Sequence, residues 1–390
     1  MNRGMKLLLP LVTGSALAWS AASLAAEPQS RRNDFTFEAR EDTLGISFRG
    51  QRVANYVYRD RTILRPYFAR LHAPGGIQVT RNHPPLPGKD ATDHDTMHPG
   101  LWLAFGDISG QDYWRNKAVI KHERFAEAPV ARGGRLTFAT ENRLQTTNGQ
   151  SLGTLMSRIT LAARPDGYLL IWEAVFTAGE QEIAFGDQEE MGLGVRVATA
   201  ITEKNGGLIT ASTGEKTAKA TWGKAFDWCD YSGVIGSQRV GVILMPDPAN
   251  FRPSWFHNRD YGLMVANPFG REAMKQGKKS SVTVKRGESL RLRFGALVYS
   301  VAPDREVDFP AAYRDFVATV ASPENADRRT SPGAFVSIPA GSFLMGADLS
   351  RDQVTAEKGV FIQDEFSVRR VMFTRGFDIS KHEVTNLEYE

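Results

Sequence analysis

Short runs of alternating or β-branched residues recur between residues 33 and 320, and turn residues separate them. The clearest runs are Arg135–Thr140, Ser157–Leu161, Tyr168–Phe176, Arg239–Leu244 and Leu290–Phe294. This spacing is typical of antiparallel sheets that bury one face, with Gly133-Gly134 and Pro165-Asp166-Gly167 among the turns. Only Pro310–Val320 has a convincing helical pattern.

The pattern therefore predicts a mainly β domain at 33–320. A unit of this length is too long for an immunoglobulin-type sandwich, and it suits a large antiparallel two-sheet sandwich or a barrel. No glycine-rich phosphate loop precedes a helix, so a nucleotide-binding α/β fold has little support. Sheets of this kind can carry a site on a concave outer face.

Residues 1–26 have the pattern of a secretory signal peptide. Arg3 and Lys6 form a basic start, Leu7–Leu24 is apolar, and Ser23–Ala26 offers small residues for cleavage. Polar residues follow directly and no cysteine lies at the cleavage point, which argues against a membrane span or a lipid anchor. We expect an exported protein, periplasmic or secreted, with no stable membrane anchor after signal cleavage.

The mature chain divides at a polar, proline-flanked linker, 321–333, which precedes a C-terminal piece at 334–390. Acidic and basic residues alternate throughout and the formal net charge is +4, so nucleic acid is not an expected partner. The single cysteine, Cys229, excludes an intramolecular disulfide, and no neighbouring group marks it as a nucleophile.

Unusual residues concentrate in the stretch Asp93–Trp102, which continues to Trp114. Aromatic rings give apolar platforms, while His94, His98 and Asp93 supply hydrogen bonds and proton transfer, as in sites for polar ring-shaped ligands. We predict a functional pocket here, with Trp102 as a platform. The alternative is a polar surface loop with one core histidine.

Three further segments contribute candidates. Glu190 and Arg196 lie six residues apart and would share one face of an extended strand, where Glu190 could act as a base opposite a histidine acid. Trp255, His257 and Arg259 would likewise project together, which suits a sugar or carboxylate ligand. Asp230 and Tyr231 are further candidates for ligand binding, but they could equally form a turn with a packed aromatic.

A metal site is an open alternative. It requires at least three of these side chains to converge as nitrogen and oxygen ligands: Asp93, His94, His98, His257 and Glu190. His94 and His98 are four residues apart, but Pro99-Gly100 argues against a helix there. No cofactor is predicted; a divalent metal at His94, His98 and His257 is the alternative.

Ordered motifs across about residues 50–305 resemble the PmoA-type family of secreted bacterial proteins. The matching segments are Asp93–Trp102, Trp228–Gly233, Trp255–Gly262 and Asn267–Gly270. Phe256 and Met97-His98-Pro99 depart from the family's pattern. The family's name refers to a methane oxygenase, which this soluble β domain does not resemble. The resemblance implies a galactose-mutarotase-like supersandwich, sugar-linked chemistry and a role for Tyr261 in ligand binding.

The C-terminal piece resembles the start of a formylglycine-generating (sulfatase-modifying factor) domain. The resemblance rests on Phe335–Gly346, Val371–Phe377 and Ile379–Tyr389. Only the N-terminal part of such an α+β domain is present, and its late paired cysteines are absent, so formylglycine-generating activity is not expected. We expect disorder or loose packing at 334–390.

These observations favour an exported protein that binds and processes a carbohydrate or sugar-derived ligand, as an epimerase, lyase or hydrolase. His94 or His98 would act as acid, Glu190 as base, and His257 with Arg259 would orient the ligand. One alternative is a non-catalytic carbohydrate-binding or scaffold domain tethered to the sulfatase-modifying-factor-like piece. The other is a metal-dependent oxygenase or hydrolase.

Overall fold

The structure is a computed structural model that describes residue 1, residues 34–322 and four short segments, 335–338, 341–345, 369–373 and 377–380. The predicted signal peptide (beyond residue 1) and all but the first two residues of the linker lie outside the described residues. Within the described part of the chain, no helix is long and apolar enough to cross a membrane.

The strands and helices follow in chain order: β1 (Phe35–Ala39), β2 (Thr43–Phe48), β3 (Gln51–Val57), β4 (Tyr67–Ala69), β5 (His72–Ala73), β6 (Ile77–Gln78), β7 (Leu101–Phe105), β8 (Val119–Arg132), β9 (Arg135–Gln145), β10 (Ser151–Arg164), β11 (Gly167–Ala178), β12 (Ile183–Phe185), β13 (Met191–Arg196), β14 (Leu208–Ala211), α1 (Ala218–Thr221), β15 (Cys229–Ile235), β16 (Gln238–Pro246), β17 (Trp255–Arg259), β18 (Leu263–Asn267), β19 (Val282–Val284), β20 (Ser289–Val301), α2 (Phe309–Ala321), β21 (Phe335–Ile338), β22 (Gly341–Met345), β23 (Arg369–Phe373) and β24 (Phe377–Ser380). Two short 3-10 turns lie at Thr199–Ile201 and Glu203–Asn205.

Two eight-stranded antiparallel sheets form the domain. The first has the order β1-β2-β3-β4-β7-β13-β18-β17, and the second has the order β14-β15-β16-β20-β11-β10-β9-β8. The sheets pack face to face: Tyr56 of the first contacts Phe138 and Trp172 of the second, and its hydroxyl lies 3.2 Å from Thr140 Oγ1. The prediction of a mainly β domain with large antiparallel sheets is confirmed.

The predicted turns form tight hairpins. Arg132 pairs with Arg135 across Gly133 and Gly134, whose φ angles are +57° and +73°. Two successive positive φ angles match the twist of a two-residue hairpin, and glycine adopts them without steric cost. Pro165-Asp166 similarly joins β10 to β11, where Arg164 pairs with Gly167.

Helix α2, confirmed at the predicted position, covers the outer face of the second sheet. Asp308 caps its first turn by accepting from the Ala311 N–H, and Phe316 packs against Ile243 and Leu169 of the sheet. The outer face of the first sheet carries loops instead, and the candidate site lies there. Among the described C-terminal strands, β21 pairs with β24 and β22 with β23.

Candidate functional site

The strand register brings the candidate side chains to the outer face of the first sheet. Directly paired residues share a face, and one such row runs from Trp102 through Gly194 and Val265 to His257. The adjacent row contains Arg196, Leu263 and Arg259. Alternate residues of these strands, such as Phe256, enter the core instead. His257 and Arg259 therefore lie on one face with Trp255, as the strand pattern predicts.

Asp93 links His94 to Arg196. The guanidinium of Arg196 donates to both carboxylate oxygens, at 2.9 and 2.7 Å, and His94 Nδ1 lies 2.8 Å from Asp93 Oδ2. Arg196 is buried, whereas the side chains of Asp93 and His94 are 37% and 41% exposed. Burial alone would raise the pKa of Asp93, but the bonds from Arg196 and His94 hold it well below its usual range.

Glu189 links His257 to Arg259 in the same way. Its Oε2 lies 2.8 Å from His257 Nδ1 and 2.6 Å from the Arg259 guanidinium. Burial alone would raise the pKa of Glu189, but contacts with His257, Arg259 and Trp222 lower it. The carboxylate therefore stays ionised at neutral pH and can stabilise a positive charge on His257.

Tyr261 contacts the first of these two groups. Its ring stacks on His94 with centroids 5.7 Å apart, and Arg196 Cζ lies 4.5 Å from the same ring. Burial raises the pKa of Tyr261, the charges of Arg196 and Arg259 oppose that shift, and Asp93 adds to it. Of the second group, only the Arg259 charge acts on this phenol, and the Glu190 carboxylate also raises its pKa. We call this set the Tyr261 site: Asp93, His94, Glu189, Arg196, His257, Arg259 and Tyr261.

A buried arginine that the sequence interpretation missed holds the loop that carries Asp93 and His94. Arg81 is 1% exposed and donates to four carbonyl oxygens, at 2.7–3.3 Å: those of Ala91, Asp93, His94 and His98. His94 has a φ of +50°, which a non-glycine residue rarely adopts, and it keeps this conformation within that network.

Arg81→Met is expected to lower the free energy of unfolding by about 2–3 kcal/mol, because the carbonyls lose a charged donor that the loop cannot replace. Urea denaturation of the full chain measures this loss. Arg81→Lys keeps the positive charge but not the planar guanidinium. Its free energy of unfolding should therefore lie between those of Arg81→Met and wild type. An unchanged unfolding midpoint for Arg81→Met would show that the loop keeps its conformation without Arg81.

His98 and Trp102 lie beside the site but inside the protein. His98 stacks between His94 and Trp102, at centroid distances of 4.9 and 5.0 Å, and burial and the Arg196 charge lower its pKa well below the usual value. This lowered pKa argues against His98 as the acid at neutral pH; His257 is equally buried, at 3% exposure, but lies beside the Glu189 carboxylate. Trp102 is fully buried over Gly194, so it is not an open platform for a ligand.

Glu190 also differs from its predicted role. Its carboxylate contacts the Arg115 guanidinium at 2.9 Å, and its neighbour Glu189 makes the contact with His257. Glu189 rather than Glu190 reaches His257 because successive residues before β13 point to different sides. Half-buried Trp222, whose ring lies 5.7 Å from Arg259 Cζ and 5.6 Å from Lys275 Nζ, was also missed. Trp222 lies outside the segments in which unusual residues concentrate, so no local pattern marked it as a candidate.

Asp230 and Tyr231 do not join the Tyr261 site. Asp230 is fully buried on the far side of the second sheet and accepts from Ser232 and Tyr299 hydroxyls at 2.7 and 2.9 Å. Tyr231 enters the core, and its hydroxyl donates to the Arg259 and Asp260 carbonyls at 3.3 and 3.0 Å. Tyr231 therefore supports, from the core side, the turn that carries Tyr261.

Within the described residues, no group of three His, Cys, Asp or Glu side chains is placed to hold a metal ion. The rings of His94 and His98 stack face to face, so their nitrogens do not point at a common centre. The arrangement does not supply the ligand set that the metal-site hypothesis requires.

Comparison with known proteins identifies one family and several distant folds. A family model described as a family of unknown function (DUF6807) matches residues 43–308. No curated protein matches the chain. Among solved structures, a galactose mutarotase-like protein from Clostridium acetobutylicum is 10% identical, with 69% of this chain and 98% of that chain covered and a TM-score of 0.35.

A putative aldose 1-epimerase from Klebsiella pneumoniae subsp. pneumoniae is 9% identical, with 74% of this chain and 88% of that chain covered and a TM-score of 0.36. A TPR-domain containing protein from Parabacteroides distasonis is 10% identical with a TM-score of 0.37; 69% of this chain is covered, and it spans 48% of that protein. Since these TM-scores are low, any functional argument must come from the geometry of the site.

Proposed function

The chain belongs to the family of unknown function DUF6807, and we propose that it binds a carbohydrate or sugar-derived ligand at the Tyr261 site and transfers protons with His94 and His257. One observation carries the proposal: two arginine–carboxylate–histidine groups lie on the outer face of the first sheet, where Tyr261 contacts one group and the Arg259 charge of the other acts on it. Each carboxylate lies 2.8 Å from Nδ1 of its histidine, which leaves Nε2 as the nitrogen available to exchange a proton with a ligand.

The two groups could divide the work of acid and base. A histidine beside an ionised carboxylate accepts a proton more readily, because the new imidazolium is stabilised where it forms. Arg196 and Arg259 hold the two carboxylates in place and donate charged hydrogen bonds. Tyr261 and Trp222 offer partly exposed rings against which a sugar face can pack. Epimerisation, elimination and hydrolysis all use such a pair.

We also propose that the protein is exported after cleavage of residues 1–26, on the sequence pattern given above. The resemblances to the PmoA-type family and, at 334–390, to a sulfatase-modifying-factor domain remain proposals of the same kind. Intact-mass measurement of the protein recovered from the expressing cells would locate the mature N-terminus. A mass that retains residues 1–26 would contradict export by this route.

Binding can be tested by a thermal-shift screen of the full chain against neutral sugars and sugar acids. A ligand of the Tyr261 site should raise the melting temperature of wild type and of His122→Gln, a matched histidine variant on β8 of the second sheet, and should act weakly on His94→Gln and His257→Gln. If every protein responded alike, the ligand would bind elsewhere. Equal binding without any turnover would favour the non-catalytic carbohydrate-binding alternative.

A further inference from the structure

A second hollow lies on the outer face of the first sheet, over β1, β2 and β3. Its volume is about 430 Å³, within the range of small-molecule pockets. The floor is Gly45, whose missing side chain leaves space: an added Cβ would meet only Asn55 Oδ1 and the Glu38 carbonyl, both at 3.8 Å. It shares no residue with the Tyr261 site.

The hollow has an excess of positive charge. Arg40, Arg52 and Arg70 line it against a single acid, Glu38, which pairs with Arg40 at 3.1 Å. Arg52 and Arg70 form no ion pair with any residue in the described part of the chain. Burial lowers the pKa of the nearby His72, and the charges of Arg52 and Arg70 lower it further. Two guanidiniums that line one hollow and have no ion-pair partner among the described residues are available to an oxyanion.

The remaining lining matches a sugar ring better than a bare anion. Thr43, Ser47 and Asn55 share the outer face with Arg52, as the register of β2 with β3 shows, and offer hydroxyl and amide groups. Phe37, 41% exposed, adds an apolar surface at the rim. A ligand with one carboxylate and several hydroxyls on a ring would engage all three kinds of group.

We propose that this hollow binds a carboxylated sugar unit, with Arg52 and Arg70 holding the carboxylate and Asn55 contacting ring hydroxyls. The site stands independently of the function proposed above. It would let the protein hold an acidic saccharide at one end of the sheet while the Tyr261 site remains free at the other.

Isothermal titration of the full chain with D-glucuronate, D-glucose and inorganic sulfate, at fixed ionic strength, tests the proposal. Glucuronate should bind wild type at least about 10-fold more tightly than glucose or sulfate, since only it uses both the charged and the polar groups. The double variant Arg52→Ala/Arg70→Ala should lose at least about 10-fold in affinity. Gly45→Leu keeps both arginines but fills the floor of the hollow, so it should lose as much affinity for glucuronate.

Two control variants distinguish binding in this hollow from binding elsewhere on the protein. Arg61→Ala removes an exposed charge outside the hollow and should keep wild-type affinity, as should His257→Gln. Equal binding of sulfate and glucuronate would overturn recognition of a sugar. Absence of glucuronate binding to wild type, or an equal loss in Arg61→Ala, would overturn the site itself. Loss in His257→Gln alone would assign the ligand to the Tyr261 site.

Discussion

Replacing His257 with glutamine is expected to slow turnover by about 10²–10⁴-fold, the usual contribution of a positioned acid or base. Glutamine keeps the approximate size and a hydrogen-bonding end but cannot exchange a proton at neutral pH. The measurement is deuterium incorporation from D₂O into the sugar found by the thermal-shift screen, followed by proton NMR. Ligand affinity should also fall, but by less than the rate.

Glu189 and Glu190 provide a matched pair of controls for this result. Glu189→Gln removes the charge beside His257 and should lower the rate by about 10–100-fold. Glu190→Gln, one residue away and paired with Arg115, should stay within about threefold of wild type. A larger loss in Glu190→Gln than in Glu189→Gln would contradict the assignment of the base partner.

As pH rises, ionisation of the buried Asp230 should lower the free energy of unfolding of wild type by up to about 4 kcal/mol, and Asp230→Asn should remove this loss. Burial raises the pKa of Asp230 to about 7, and bonds from Ser232 and Tyr299 only partly oppose this. In the unfolded chain the pKa is about 3.9, so the folded protein binds the extra proton. The stability that the proton provides is full below pH 4 and is lost as pH rises through 7.

The difference in free energy of unfolding between Asp230→Asn and wild type, measured by urea denaturation at pH 4.5, 6 and 8, should therefore grow with pH in favour of the variant. Taking the difference cancels other titrating groups, including His98 and His122, whose lowered pKa values act with the opposite sign. The exposed Asp304→Asn is the control and should show a flat difference. A flat difference for Asp230→Asn too would mean that its carboxylate is charged and well paired at neutral pH.

The sequence predicted the sheets and α2 because these depend on local patterns. Alternation fixes which strand face is buried, and Gly133-Gly134 fixes a hairpin whatever the rest of the chain does. It also grouped Trp255, His257 and Arg259, since a strand period of two sets that relation. Residues adjacent in one strand or loop were thus the reliable part of the site.

Relations between distant segments could not be read in the same way. The choice of Glu189 over Glu190 depends on where β13 begins, and strand ends are poorly fixed by sequence. The position of His98 depends on contacts with Arg81 and Arg196, which come from other segments of the chain. Asp230 is polar in sequence yet enters the far side of the second sheet, which only the pairing of β15 with β16 decides.

The most direct test of the Tyr261 site uses the histidines as reporters. The chain has seven, and their ¹³Cε1 signals can be assigned by single substitutions and followed in the full chain as a sugar ligand is added. We predict that the signals of His94 and His257 move together and saturate at one concentration of a neutral sugar, while that of His122, which belongs to neither proposed site, stays in place. Movement confined to His122, or saturation of His94 and His257 at unrelated concentrations, would contradict this prediction.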